Sequence, residues 1–530
     1  MRAMRGVGAG SLLFVLSVSG HDSLHSQALP VTADSAARAL APARSAHPPH
    51  AASASPLLPA GHWAVRAAER AGALGLAPGW FPAQDAAPRG AVLDALEEAA
   101  EAVEAGGAIS PRMAALARGW VDRFREEFPE YGDDADGDAL LLSVNGHAAA
   151  GYAGERGRLS PAVGYFDSRR DPQPVPEVST ARLDASGGVR AGRHAAVWAL
   201  GRWDDEGVDL ARWEAVAQAG PLALSAGKQT VGYGWSEGGG VALGSALLPR
   251  VEVQTARPLR LPGFLRLAGP VAGHLFVSRA GGTRHPDSPW LWGARVAFRP
   301  HARVSFAVNR ASLFGGAEEV TAERVLKMLV GAIRGSTFEN QVLSFEGRWR
   351  LPTEGVLPAT AYLEWGADDG AGALNETPGR VAGVLFPALP GAPEVAAGAE
   401  YARFAEACCG HGPWYFNFSF PGNWARGSHA LGHPLGGEGW EAAGFARAEL
   451  LDARLRVDAR GFVRDRSDAS YAHFGGGNLY APARTGRSTG VQGGFSYRLR
   501  PHVELRARGR AEAGDGWSEA ALDAQLALFF

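Results

Sequence analysis

Beyond about residue 140 the chain alternates apolar and polar residues with a period of two, and the polar set is densely charged. Leu451, Ala453, Leu455, Val457 and Ala459 alternate with Asp452, Arg454, Arg456, Asp458 and Arg460. Val503, Leu505 and Ala507 alternate with Glu504, Arg506 and Arg508, and Val304, Phe306 and Val308 with Arg303, Ser305 and Asn309. Leu343, Phe345 and Trp349 do so with Ser344, Glu346, Arg348 and Arg350. A strand turns successive side chains to opposite faces, so each segment predicts one apolar and one charged face. The outer face of a soluble sandwich seldom carries such a density of Arg and Asp, whereas lipid outside and a polar lumen inside produce it directly. Leu522, Ala524, Leu526, Leu528 and Phe530 share one face at the end of the chain. That predicts the closing strand of a transmembrane antiparallel β-barrel, with an edge strand of a soluble sheet as the alternative. About 390 residues at roughly 20 per strand and connection give about 18 to 20 strands.

Composition agrees with a large folded chain. It has 530 residues, 46% of them hydrophobic and 20% charged, with net charge -3, which excludes disorder and a strongly basic nucleic-acid binder. Gly 71 and Pro 34, without a collagen-like period, predict many tight turns. Arg2 and Arg5, the apolar run Leu12 to Val18 and Ser26-Gln27-Ala28 have the layout of a secretory signal peptide over residues 1–28. No later stretch offers 18 consecutive apolar residues, so helical spans are not expected. The chain is therefore exported, and either soluble or a barrel in the outer membrane.

Residues 29–58, rich in Ala, Pro, Ser and His, read as a flexible leader. Residues 59–130 turn helical, and 140–530 form the expected barrel. Trp63, Ala67, Ala71 and Leu74 recur at helical spacing, as do Val92, Leu93, Leu96, Ala100 and Val103. A third helix opens at Ser110-Pro111, carries Met113, Ala117, Trp120 and Phe124 on one face, and stops at Pro129. Such a unit is of marginal size to fold alone.

Several local patterns suggest chemistry and are outweighed by their context. Gly234-Trp235-Ser236-Glu237-Gly238 matches G-x-S-x-G, but Gly239 and Gly240 follow where a helix should start, so a glycine-rich loop is expected. Asp134, Asp136 and Asp138 suggest a calcium loop, yet Ala139 stands where Gly is required and the bidentate Glu is missing; an acidic linker is expected. His429 and His433 have helical metal-ligand spacing inside a Gly- and Pro-rich turn. Asp368 and Asp369 beside Glu364 do not form a glycosidase pair, because neighbouring side chains in a strand diverge. Adjacent Cys408 and Cys409 cannot staple a fold, and no second cysteine pair completes a metal site. No metal, cofactor or catalysis is expected.

A series of further segments runs from His62-Trp63 through Ala73-Leu74-Gly75-Leu76 and Trp80-Phe81-Pro82 to Gly227-Lys228-Gln229, Tyr233-Gly234-Trp235 and Leu261-Pro262-Gly263-Phe264. It continues in Trp290-Leu291-Trp292-Gly293, Asn309-Arg310, Phe314-Gly315-Gly316, Glu364-Trp365, Asp368-Asp369, Glu400-Tyr401 and Gly432-His433-Pro434-Leu435-Gly436-Gly437. In these segments the chain resembles the capsule assembly protein Wzi family of outer-membrane β-barrel lectins. The resemblance implies an 18-stranded barrel, a periplasmic helical unit, and a role in holding capsular or exopolysaccharide at the cell surface. The helical unit also resembles an S-layer homology motif at His62-Trp63-Ala64 and Gly75-Leu76, although Pro88-Arg89-Gly90-Ala91 holds the place of the usual TRAE-like helix start. That alternative pairs a wall-binding unit with a porin.

Sugars are recognised by flat aromatic faces and by charged or amide groups that bond hydroxyls. The candidates are Trp235, Trp290, Trp292, Arg310, Trp365, Asp368, Trp414 and Tyr415, with an interfacial aromatic girdle as the competing role for the aromatic members. Arg310, Arg348, Arg454, Arg456, Arg506 and Arg508 are expected in the lumen. Besides polysaccharide, the expected partners are outer-membrane lipid and the barrel assembly machinery, which would read Phe530 as the insertion signal.

Overall fold

A computed structural model of the chain describes residues 50–105, 110–131, 142–156, 180–205, 207–280, 288–315, 318–332, 337–368, 378–404, 429–467 and 486–530, with 414–415, 417, 419–420 and 424–426 between. The expected signal peptide, the Asp134–Asp138 stretch, Asp369 and the cysteine pair lie outside them.

The alternating segments close into an antiparallel barrel of eighteen strands among the described residues. They are β1 (Leu142–Arg156), β2 (Thr180–Ala191), β3 (Ala195–Asp204), β4 (Gly207–Ala219), β5 (Leu222–Val231), β6 (Ala246–Thr255), β7 (Pro270–Arg279), β8 (Trp290–His301) and β9 (Val304–Phe314). They continue as β10 (Glu339–Arg350), β11 (Thr360–Asp368), β12 (Gly379–Phe386), β13 (Val395–Phe404), β14 (Gly439–Leu450), β15 (Leu455–Arg466), β16 (Gly486–Arg500), β17 (Val503–Gly514) and β18 (Trp517–Phe529). β18 pairs with β1, Asp523 opposite Ala153 and Phe529 opposite His147, so no edge remains. Val296, Val491, Leu522, Leu526 and Leu528 are exposed on the outer wall, where lipid takes the place of a core. The inner faces hold ion pairs instead: Arg464 lies 2.8 Å from Glu441, and Arg508 and Arg182 lie 2.8 and 3.0 Å from Asp523.

One alternating run starts later than its pattern predicts. Leu451, Asp452 and Ala453 have φ of 55°, 54° and 62°, and form a turn from which β15 starts at Leu455. The turn is held from outside the strand pair, because Arg123 donates to Ala453 O at 2.8 Å.

Among the described residues three helices, α1 (Trp63–Leu74), α2 (Arg89–Ala105) and α3 (Pro111–Glu127), precede the barrel. Ser110 accepts from Arg112 N at 3.3 Å ahead of Pro111, and Gly75 ends α1 at φ 79°, a left-handed position that glycine takes without strain. Trp63, Leu93, Leu96, Trp120 and Phe124 bury together between the helices. His50 to Leu58, which composition assigns to the leader, are packed: Ala54 N bonds Arg193 O at 2.8 Å, and Leu57 N bonds Glu214 at 2.8 Å.

Candidate functional site

The barrel has one end of mostly short turns and one end of longer loops, and the helices dock on the short-turn end. Arg70 of α1 donates to Pro387 O at 2.7 Å and pairs with Glu449 at 2.5 Å. Trp120 Nε1 reaches the other oxygen of Glu449 at 3.0 Å, and Arg123 pairs with Glu504 at 2.5 Å. Residues 81–85 extend into the lumen, where Gln84 donates to Gln254 at 3.2 Å and Asp85 N to Gly232 O at 3.0 Å. At the head of α1, Trp63 Nε1 donates to Glu127 at 2.6 Å, and His62 Nε2 lies 3.0 Å from the same carboxylate. Burial lowers the His62 pKa against the opposing pull of Glu127. Burial opposes ionisation of Glu127, but His62, Arg123 and Arg506 outweigh it and hold the carboxyl well below its ordinary range.

Among the described residues, two connections cross inside the wall at the long-loop end. The β5–β6 connection carries Tyr233, Val241, Ala242 and Leu243, all buried, and packs on Trp414, Tyr415, Trp424 and Leu431 of the β13–β14 connection. Gly244 N donates to Leu431 O at 2.7 Å. A Cβ on Gly244 would stand 2.3 Å from Gly432 O, so this crossing requires glycine. Carboxylates of the wall hold the loops: Glu400 accepts from Glu237 N and Gly238 N at 2.7 and 2.8 Å, and Asp368 accepts from Tyr415 N at 2.6 Å.

Beside α1 and the wall of β14 to β18 lies a chamber of about 320 Å³. Its walls are Arg447 and Glu449 of β14, Arg456 and Asp458 of β15, Gln492 and Ser496 of β16, Arg506 and Arg508 of β17, and Asp523 and Gln525 of β18; α1 adds Trp63, Arg66 and Arg70. Most of the arginines have partners: Arg506 lies 2.8 Å from Glu504, and Arg456 donates to Ser496 Oγ at 2.6 Å. Gln492 Oε1 is buried without a partner among the described residues. The lining thus mixes fixed cations, carboxylates and amides beside a tryptophan, a set able to meet sugar hydroxyls and an acidic substituent together.

The candidate residues fall into three places. Trp235 is in the lumen, with the guanidinium carbons of Arg295 and Arg348 5.4 and 6.0 Å from its ring centre. Asp368, Trp414 and Tyr415 are buried in the plug. Trp290, Trp292, Arg310 and Trp365 stand on the outward face of their strands; Trp365 lies against Phe345 there, at 6.3 Å between ring centres. Arg310 is therefore outside the lumen expected for it, because Asn309 and Ala311 take the inward positions beside it. Ser236, in the G-x-S-x-G stretch, bonds the backbone of Gly239 inside a turn, so no nucleophile elbow forms. The His433 backbone N–H donates to Tyr415 Oη at 3.0 Å, and the ring's Nδ1 accepts from Leu435 N at 3.1 Å; the ring belongs to the plug. Sequence reasoning did not select Trp63, Arg66 or Gln492. The resemblance begins at His62-Trp63, but nothing local says that α1 faces a cavity.

A closed wall with an apolar outside, a braced inside and loops folded within defines an outer-membrane β-barrel whose lumen is occupied. The chain belongs to the family of the capsule assembly protein Wzi, whose pattern it matches over residues 143–515. Among solved structures it is similar to Wzi of Escherichia coli, described as an outer-membrane protein involved in group 1 capsule assembly and a carbohydrate-binding β-barrel. The two share 16% identity over 90% of this chain and 100% of that one, with a TM-score of 0.68. Pseudomonas aeruginosa OprD shares 9% identity over 75% of this chain and 97% of that one, with a TM-score of 0.44. No curated protein sequence matches.

Proposed function

We propose that this protein binds exported capsular or extracellular polysaccharide and holds it at the cell surface, acting as a lectin without catalysis. The observation that carries the reading is the polar chamber within a barrel of the capsule assembly family. Arg66, Arg508, Asp523 and Gln525 line the chamber, charged and amide groups of the kind that hold sugar hydroxyls. Trp235, half-buried in the lumen beside Arg295 and Arg348, is the sugar-facing ring. The helices sit on the periplasmic side, because barrels turn briefly there and loop widely outside. The plug argues against a diffusion porin, and outward Phe530 is the mark read by the assembly machinery.

The test uses purified, detergent-folded full-length protein. Pull-down of the host's own surface polysaccharide is measured alongside single-channel conductance of the same sample. Binding without conductance is expected. Conductance without binding would overturn the reading in favour of a porin, and release of shortened sugar chains would replace it with an enzyme.

A further inference from the structure

The β9–β10 connection contains a short helix, α4 (Ala322–Leu329), capped by Thr321, whose side chain accepts from Arg324 N. It packs on the outside of the barrel. Met328, 1% exposed, sits in one cluster with Trp292, Phe314 and Phe338, flanked by Trp290 and Val325. Trp290, Trp292 and Phe314 belong to the outward set of β8 and β9, the set that carries exposed Val296, Phe306 and Val308 further down the wall. Beneath the helix, outward Arg310 lies 3.5 Å from Glu339 and donates to Leu329 O at 3.2 Å. An ion pair facing acyl chains is costly, and α4 covers this one.

At about 100° per residue the helix divides into three sectors. Val325 and Met328 face the wall. Leu326 and Leu329 are 63% and 46% exposed on a second sector, and Val330, just beyond the helix, is 69% exposed between that sector and Glu323. Glu323 and Lys327 form the third, an exposed ion pair at 2.6 Å. The apolar and charged sectors lie on either side of the direction pointing away from the barrel. A helix lying in the plane of a membrane interface has this division, with its apolar face among acyl chains and its charges among head groups. The exposed leucines continue the lipid-facing belt of the wall.

We infer that α4 is an outer-leaflet anchor that takes the acyl chains of membrane lipid against Leu326 and Leu329. It fixes the depth and rotation of the barrel on that side and shields Arg310 and Glu339 from hydrocarbon. The inference is independent of the polysaccharide reading.

The test uses full-length protein with Cys408→Ser and Cys409→Ser, carrying Leu326→Cys, Val330→Cys or Glu323→Cys, each labelled with bimane. The labelled proteins are folded into phosphatidylglycerol vesicles containing brominated lipid, and heat-modifiability confirms the barrel. Bromolipid quenching at position 326 is expected to exceed that at 323 by about twofold or more, with aqueous iodide giving the reverse order. Iodide reaching all three positions equally would place the helix in water, and quenching by neither agent would mean that protein covers it; either result overturns the proposal. A second variant, Leu326→Asp with Leu329→Asp, keeps heat-modifiability and raises iodide quenching of the position-330 label. An unchanged label would likewise overturn it.

Discussion

Replacing Arg70 by Met tests how the helical unit is fastened to the barrel. The guanidinium is buried and serves Pro387 O at 2.7 Å, Glu394 O at 3.3 Å, Pro393 O and Glu449 at 2.5 Å. Met keeps most of the volume and removes every one of these bonds. Breaking a buried ion pair costs about 3–5 kcal/mol, mostly from the group left behind. Glu449 retains Trp120 Nε1 at 3.0 Å and its side chain is 12% exposed, so the lower end, about 3 kcal/mol, applies. Since about 1.4 kcal/mol is tenfold, undocking of α1 becomes about 100-fold more frequent. Hydrogen exchange on the detergent-folded protein reads this directly. Amides of α1 are expected to exchange about 100-fold faster while those of β14 keep their protection. Wild-type exchange across α1 would refute the reasoning, and equal acceleration in β14 would mean that Arg70 braces the barrel rather than the docking.

Other outcomes follow from the same geometry. The folded-state pKa of His62 is lowered, so its contribution is complete above the unfolded value of about 6.5 and is lost as pH falls below it. Protease protection of the helical unit should therefore weaken on acidification, and His62→Gln should flatten that dependence; an unchanged pH profile in the variant would refute it. Arg464 is fully buried beside Glu441 and Glu512, and Arg464→Ala should cost about 3–5 kcal/mol, visible as a lower denaturant midpoint of the barrel. Deleting Phe530 should reduce the amount of heat-modifiable barrel in the outer membrane, and normal levels would disprove its role as an insertion signal.

The sequence by itself determined the barrel, because period-two alternation leaves each strand only one face that lipid accepts, and Leu522 to Phe530 carry it to the end of the chain. The helices were equally legible, since Ser110-Pro111 and the spacing of Trp120 and Phe124 are local signals. Tertiary structure alone decided what fills the lumen. Gly244 meets Gly432 across 188 positions, a contact no local pattern encodes. It also decided that Trp290, Trp292 and Trp365 stand outside while Trp414 and Tyr415 are buried in the plug. A tryptophan near a strand end suits a girdle, a plug or a sugar site equally well, and only the register of its strand and the path of its loop choose among them. The turn at Leu451–Arg454 shows the same limit, for its alternation is that of a strand until Arg123, 330 residues earlier, captures Ala453 O.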